Sequence, residues 1–220
     1  MAKRSAVLVS GGIDSAVLLA QRLQAKEEVY PIYIQEGLRW EAIELRHLQH
    51  FLKTIGHERL KPLILLQFPM QSIYGKHWSL GNGKVPQART SDKAVYLPGR
   101  NIGLISLAAL YCVQKKIQTL FLASLRANPF PDSAPHFFKA FERLIFEGTR
   151  RRIQIKTPYR QLGKKEVLHR GKELPLELTF SCIDPKNGGH CGHCNKCAER
   201  QRAFKQARIK DKTVYGKKGR

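Results

Sequence analysis

Ala6-Val-Leu-Val9 runs directly into Ser10-Gly11-Gly12-Ile13-Asp14-Ser15, and this stretch decides the fold. The apolar run is a strand candidate. From Asp14 to Ala25 the apolar residues Val17, Leu18 and Leu23 recur at helical spacing. Val29 to Ile34 reads as a second strand, so the chain opens on a β-loop-α-β unit. The loop carries the chemistry. Two adjacent glycines let the backbone approach phosphates closely, and the helix start behind them offers free amides and a positive dipole end. Ser10 and Ser15 add hydroxyl donors, and Asp14 can hold a magnesium ion or cap the helix. A Walker loop would need a Gly-Lys-Ser/Thr ending, and here Gly171-Lys172 is followed by Glu173. The dinucleotide pattern G-x-G-x-x-G is not met either.

Outward from this unit, Trp40 to Ile55 has the apolar face of an amphipathic helix, ended by Gly56. Leu63 to Phe68 is a third strand candidate. Pro98-Gly99-Arg100-Asn101 leads into Ile102 to Gln114, a nearly all-apolar helix expected to be buried, with Cys112 as a core thiol. Thr119 to Ala123 and Ile153 to Ile155 read as further strands, and Phe137 to Phe146 as a helix. Strands alternating with helices predict an α/β fold, a doubly wound parallel sheet. Residues 69–95 show no period and read as a long, lid-like loop. The expected organisation is a phosphate-binding domain over 1–175 and a metal knuckle with a basic tail over 176–220.

The cysteines are unevenly placed. Cys182 is followed after eight residues by Cys191-Gly-His-Cys194-Asn-Lys-Cys197. Two interlocked C-x-x-C steps bring three thiolates to one point, and Cys182 can close a tetrahedron. Four thiolates leave no open position, so the site is expected to be structural zinc. An iron–sulfur cluster is the alternative, and His190 and His193 are spare donors.

Composition sets the partners. The chain has 220 residues with 42% apolar content, enough for one ordinary domain with a small appendage. No apolar run is long enough to cross a bilayer, which excludes a membrane partner of that kind. Without an apolar leader the expected location is the cytoplasm. Lys and Arg number 39 against 17 Asp and Glu, a formal net charge of +22. A small anionic substrate needs few of these, so the excess reads either as a generally basic, solvated surface or as a contact surface for a polyanion such as RNA.

The complete SGGxDS string, between first strand and first helix, resembles the signature of the pyrophosphatase-loop ATPases. These split ATP between the α and β phosphates and adenylate a substrate oxygen. Loop and knuckle together, in a chain of this length, resemble the 7-cyano-7-deazaguanine synthase family. Tyr96-Leu-Pro98-Gly99-Arg100-Asn101 is similar to that family's F-V-P-G-R-N. Ile155-Lys-Thr157-Pro158 with Leu162-Gly-Lys164-Lys-Glu166 resembles its TP…L-x-K-x-E segment, and Phe180-Ser-Cys182 its L-T-C. Two segments depart. The family's S-G-Y-P-D-C-R is here Asn128-Pro-Phe-Pro-Asp132-Ser133-Ala134, which keeps Asp132 but not the Cys and Arg. Its Y-G-Q-R-H, after the second strand, is here Gln35-Glu-Gly37-Leu-Arg39-Trp40.

The resemblance implies conversion of 7-carboxy-7-deazaguanine and ammonia to the nitrile, with ATP, through an adenylated intermediate. It implies catalytic roles for Asp14, Lys164, Arg100 and Asp132. Nucleotide contacts would come from Val9, Ser10, Gly11, Gly12, Ile13, Asp14, Ser15, Ala16, Val17, Leu18 and Leu19. Cys182, Cys191, Cys194 and Cys197 would hold Zn²⁺, and Mg²⁺ would accompany ATP. The family suggests a homodimer. The alternative is an enzyme of the same superfamily that adenylates another carboxylate or a tRNA base.

Overall fold

The computed structural model describes residues 2–216; Met1 and residues 217–220, with Lys217, Lys218 and Arg220 of the basic tail, lie outside the described residues. The chain runs β1 (Arg4–Leu8), α1 (Ile13–Gln24), β2 (Glu28–Gln35), α2 (Glu41–Ile55) and β3 (Ile64–Gln67). It continues with α3 (Gln71–Tyr74), α4 (Arg100–Gln114), β4 (Thr119–Phe121), α5 (Pro135–Thr149), β5 (Gln154–Lys156), α6 (Lys164–Arg170) and α7 (Asn195–Ala207). The strands form one sheet in the order β3-β2-β1-β4-β5, with every neighbouring pair parallel.

Both faces of the sheet are covered, as expected for a doubly wound fold. Val17, Leu18, Phe51, Val167 and Phe204 pack one face, and Ile105, Ala108, Cys112, Phe138 and Phe141 the other. This double burial explains why β2 is a nearly continuous apolar run. β1 lies between β2 and β4, so the connections leaving β1 and β4 part to opposite faces. A crevice opens there, at the carboxyl ends of the strands.

Three findings differ from, or sharpen, the sequence expectation. The apolar helix α4 is buried on one side only: Ile102 and Leu110 are 51% and 46% exposed. It lies in an outer layer, and just one face meets the sheet. Gly103 makes that contact close, since a Cβ there would meet the Phe68 ring at 2.0 Å. Second, residues 69–95 are docked. Met70 and Ser79 are buried, Trp78 stacks on Trp40 at 5.8 Å, and Asn195 N–H donates to the Pro86 carbonyl. Third, the chain beyond residue 176 joins the main core. Ala203, Phe204 and Ala207 of α7 belong to the same buried cluster as α1, reached through α6, and Phe180 N–H donates to the Gly11 carbonyl at 2.8 Å. Among the described residues, no helix is long and apolar enough to cross a membrane.

Candidate active site and metal centre

The phosphate loop is held from several sides. Val9 N–H donates to the Ile32 carbonyl (2.8 Å), which keeps the chain on the sheet just past β1. Gly11 has φ +72°, and a Cβ there would lie 3.1 Å from Glu44 Cγ, so both backbone conformation and the nearby α2 require glycine. Gly12 precedes α1 in an extended conformation, and no side chain caps the helix. Its first N–H groups are therefore left for a ligand or water. Ser10 N–H donates to Ser15 Oγ (3.2 Å), and Ser15 Oγ donates to the Gly12 carbonyl (3.1 Å).

A cavity of about 360 Å³ opens beside this loop. Val9, Ile34, Ala123 and Ser124 form its floor at the strand ends. Its walls come from α2 (Glu44), α4 (Arg100, Asn101), α6 (Lys164) and α7 (Lys196, Glu199). Lys164 Nζ donates to Asp14 Oδ2 and lies 3.8 Å from Glu199. Burial opposes the Lys164 charge, but Asp14 and Glu199 outweigh it and raise the pKa above the ordinary lysine value. Burial likewise opposes the Glu199 charge, and Lys164 and Lys196 overcome it, so its pKa is lowered. Arg100 makes a bidentate pair with Glu36, Nε to Oε1 at 2.7 Å. Burial again works against the charge, and Glu36 more than restores it. Glu44 is different. Burial pushes its carboxyl up to about 8, although Tyr33 O–H donates to Oε2 at 2.7 Å.

The structure brings most of the expected site residues together. Val9, Ser10, Gly12, Ile13, Asp14, Ser15, Arg100 and Lys164 all line the cavity. Gly11 lies behind the loop against α2. Ala16, Val17, Leu18 and Leu19 do not line it; they are buried in the core, because α1 leads away from the loop. Asp132 does not line it either. Its Oδ2 accepts from Asn101 N–H (3.1 Å), and its carbonyl from Asn101 Nδ2 (3.0 Å), so it fixes the start of α4 beside Arg100. The Arg126 guanidinium lies near Gly163, away from the cavity lining. Sequence reading missed Tyr33, Glu36, Glu44, Ser124 and Glu199. An acid on an otherwise apolar face was the available signal for Glu44. Two side-chain atoms of cavity-lining residues, Asp14 Oδ1 and Ser124 Oγ, are buried with no hydrogen-bond partner among the described residues. Asp14 thus has one carboxylate oxygen free of any hydrogen bond among the described residues.

The metal centre is compact. The sulfurs of Cys182, Cys191, Cys194 and Cys197 lie within 4.8 Å of one another, and all four residues are buried. Cys182–Cys194 and Cys191–Cys197 are 3.8 and 3.9 Å apart. A tetrahedron with bonds of about 2.3 Å has edges of about 3.8 Å, so the set fits zinc. Backbone N–H groups of Asp184 and Cys191 point at Cys182 Sγ, those of His193 and Cys194 at Cys191 Sγ, and that of Cys197 at Cys194 Sγ. Such bonds orient and stabilise thiolates. His190 is not part of the set; its Nε2 accepts from Ser181 N–H.

Comparison with known proteins gives a consistent result. Residues 4–208 match the family described as queuosine biosynthesis protein QueC. The chain is 32% identical to the 7-cyano-7-deazaguanine synthase of Leptospira interrogans serovar copenhageni, covering 95% of this chain and 89% of that protein. It is 33% identical to the protein of the same name from Chloroherpeton thalassium, covering 96% of each. The fold is similar to a solved 4-thiouridine synthetase, in complex with RNA and with bound ATP. There the TM-score is 0.53 at 13% identity, over 94% of this chain and 50% of that one, so that likeness concerns the fold alone.

Proposed function

Because the chain belongs to the QueC family of queuosine biosynthesis proteins, we propose that it is an ATP-dependent ligase making 7-cyano-7-deazaguanine from 7-carboxy-7-deazaguanine and ammonia. The carrying observation is the convergence of the uncapped α1 start, the Asp14–Lys164 pair and Arg100 on one cavity. That is a built site for a polyphosphate beside an acid.

The chemistry needs charge stabilisation first. The substrate carboxylate attacks the α-phosphorus of ATP, and the bond to the β-phosphate oxygen breaks, releasing pyrophosphate. The α1 amides, Ser10, Ser15 and Lys164 hold the phosphate oxygens as charge moves to the leaving group, and Arg100 orients the acid. Mg²⁺, held through Asp14, would neutralise part of the phosphate charge when bound. Ammonia then displaces AMP to give the amide. A second ATP activates the amide oxygen, and elimination of AMP gives the nitrile.

A homodimer belongs to the proposal, supported by the half-exposed Ile102 and Leu110 on α4. So do a cytoplasmic location and RNA contact, the latter supported by the net charge of +22. Adenylation of a tRNA base is not favoured, because the relatives at about one-third identity are named 7-cyano-7-deazaguanine synthases. The test is turnover. With 7-carboxy-7-deazaguanine, ammonium and ATP, the protein should release AMP and pyrophosphate and yield a product with the mass of the nitrile. Turnover that ignores this acid but responds to another acid, or to tRNA, would overturn the substrate assignment and leave the ATP chemistry standing.

A further inference from the structure

We propose that Glu44 is the proton acceptor for the nitrogen-centred steps, a role that rests on the ligase reading above. Ammonia attacks the acyl carbon of the adenylate through its lone pair, giving a tetrahedral species with a positively charged nitrogen. One N–H proton must leave before the C–O bond to AMP breaks, with AMP taking the electron pair. In the second half, the amide nitrogen sheds both of its protons. Its N–H electron pairs become the new C–N bonds as AMP departs with the oxygen. The reaction therefore needs a base that phosphate stabilisation does not provide.

The cavity offers few candidates. Neither His nor Cys is among its lining residues, and its carboxyl groups are those of Asp14, Glu36, Glu44 and Glu199. Asp14 is paired with Lys164, Glu36 with Arg100, and Glu199 with Lys164 and Lys196. A carboxylate clamped by a cation is a weak base. Among the described residues, no Lys or Arg nitrogen lies within 4.0 Å of the Glu44 carboxyl. It stands beside the phosphate loop, against Gly11, and Tyr33 O–H holds Oε2, leaving Oε1 to take a proton. The charged and titratable groups facing it are Tyr33 and Glu36 from β2 and its exit, Glu41 on α2, and Arg100 on α4. Burial dominates this set and holds the carboxyl near 8, a useful value for a base at neutral to mildly alkaline pH.

The sign follows. The base must be ionised, so at a fixed concentration of free ammonia amination and elimination should quicken as pH rises towards about 8 and level off above it. Tyr33 stabilises the carboxylate, so removing its hydroxyl should move the rising limb to higher pH.

Partial reactions test the idea. Pyrophosphate–ATP exchange with the acid, without ammonium, reports adenylation alone. Product mass with ammonium reports the nitrogen steps. In Glu44→Gln, nitrile formation should fall roughly 10²–10³-fold further than exchange does, and at fixed free ammonia it should lose its pH limb. In Tyr33→Phe the limb should persist but shift upward. Native-rate nitrile formation in Glu44→Gln would overturn the assignment. So would equal loss of exchange and nitrile formation, or an unshifted limb in Tyr33→Phe. Absence of exchange in the native protein would instead bring down the substrate reading, and the Glu44 role with it.

Discussion

Asp14 shows what a single residue does at this site. It lies in the first turn of α1, pairs through one oxygen with Lys164 and keeps the other buried without a partner among the described residues. The first oxygen fixes the lysine, and the second is the one proposed above to hold a cation. Replacing Asp14 by Ala leaves Lys164 near Glu199, so no buried charge is abandoned and the fold should survive. ATP cleavage should drop by at least ~10²-fold, the usual scale for losing one preorganised electrostatic contact. AMP release and thermal unfolding measure the two effects separately. Near-normal AMP release from a folded Asp14→Ala protein would contradict the role.

Elements are tied together by the cysteine cluster. Cys194 is a ligand candidate and also the N-cap of α7, where its sulfur accepts the Cys197 N–H at 3.4 Å. It also pairs through its backbone with Gln87, so the docked 69–95 segment rests on the same point. Cys194→Ser should lose the metal and loosen residues 180–200 and 85–90 together. Structural zinc contributes roughly 10–16 kcal/mol in small domains, comparable to a whole domain's stability. Ala203, Phe204 and Ala207 remain in the main core, so the loss should be local. Hydrogen exchange reports the loosening and elemental analysis the metal. One zinc per chain in the variant, or iron in the native protein, would contradict this account.

At the scale of the whole molecule, charge dominates. The excess of cations exceeds what one polyphosphate needs. Some of it gathers at the β5 edge, where Lys139, Arg143, Arg152 and Lys156 line a groove of about 580 Å³. A surface of this kind attracts polyanions by counterion release. Labelled tRNA should bind at low salt, and its affinity should fall at least ~10-fold between about 50 and 200 mM salt, linearly in the logarithm of both quantities. Failure to bind at low salt, or binding that salt does not weaken, would remove RNA from the list of partners.

By itself the sequence determined what is local. Ser10 to Ser15 between strand and helix, and the C-x2-C-x2-C spacing, place their groups within a turn or two of each other. Chain geometry alone then specifies a phosphate loop and a metal site. The alternation of apolar runs likewise specified the parallel sheet. Pairings over long separations were decided only in three dimensions. Lys164 reaches Asp14 across 150 residues, and Arg100 reaches Glu36 across 64. Packing gave Asp132 to the start of α4 and kept Ala16 to Leu19 in the core. It also buried Glu44 with no Lys or Arg nitrogen, among the described residues, within 4.0 Å of its carboxyl. A carboxyl's protonation and reach depend on the dielectric and charges that fold around it, and sequence spacing carries no information about either.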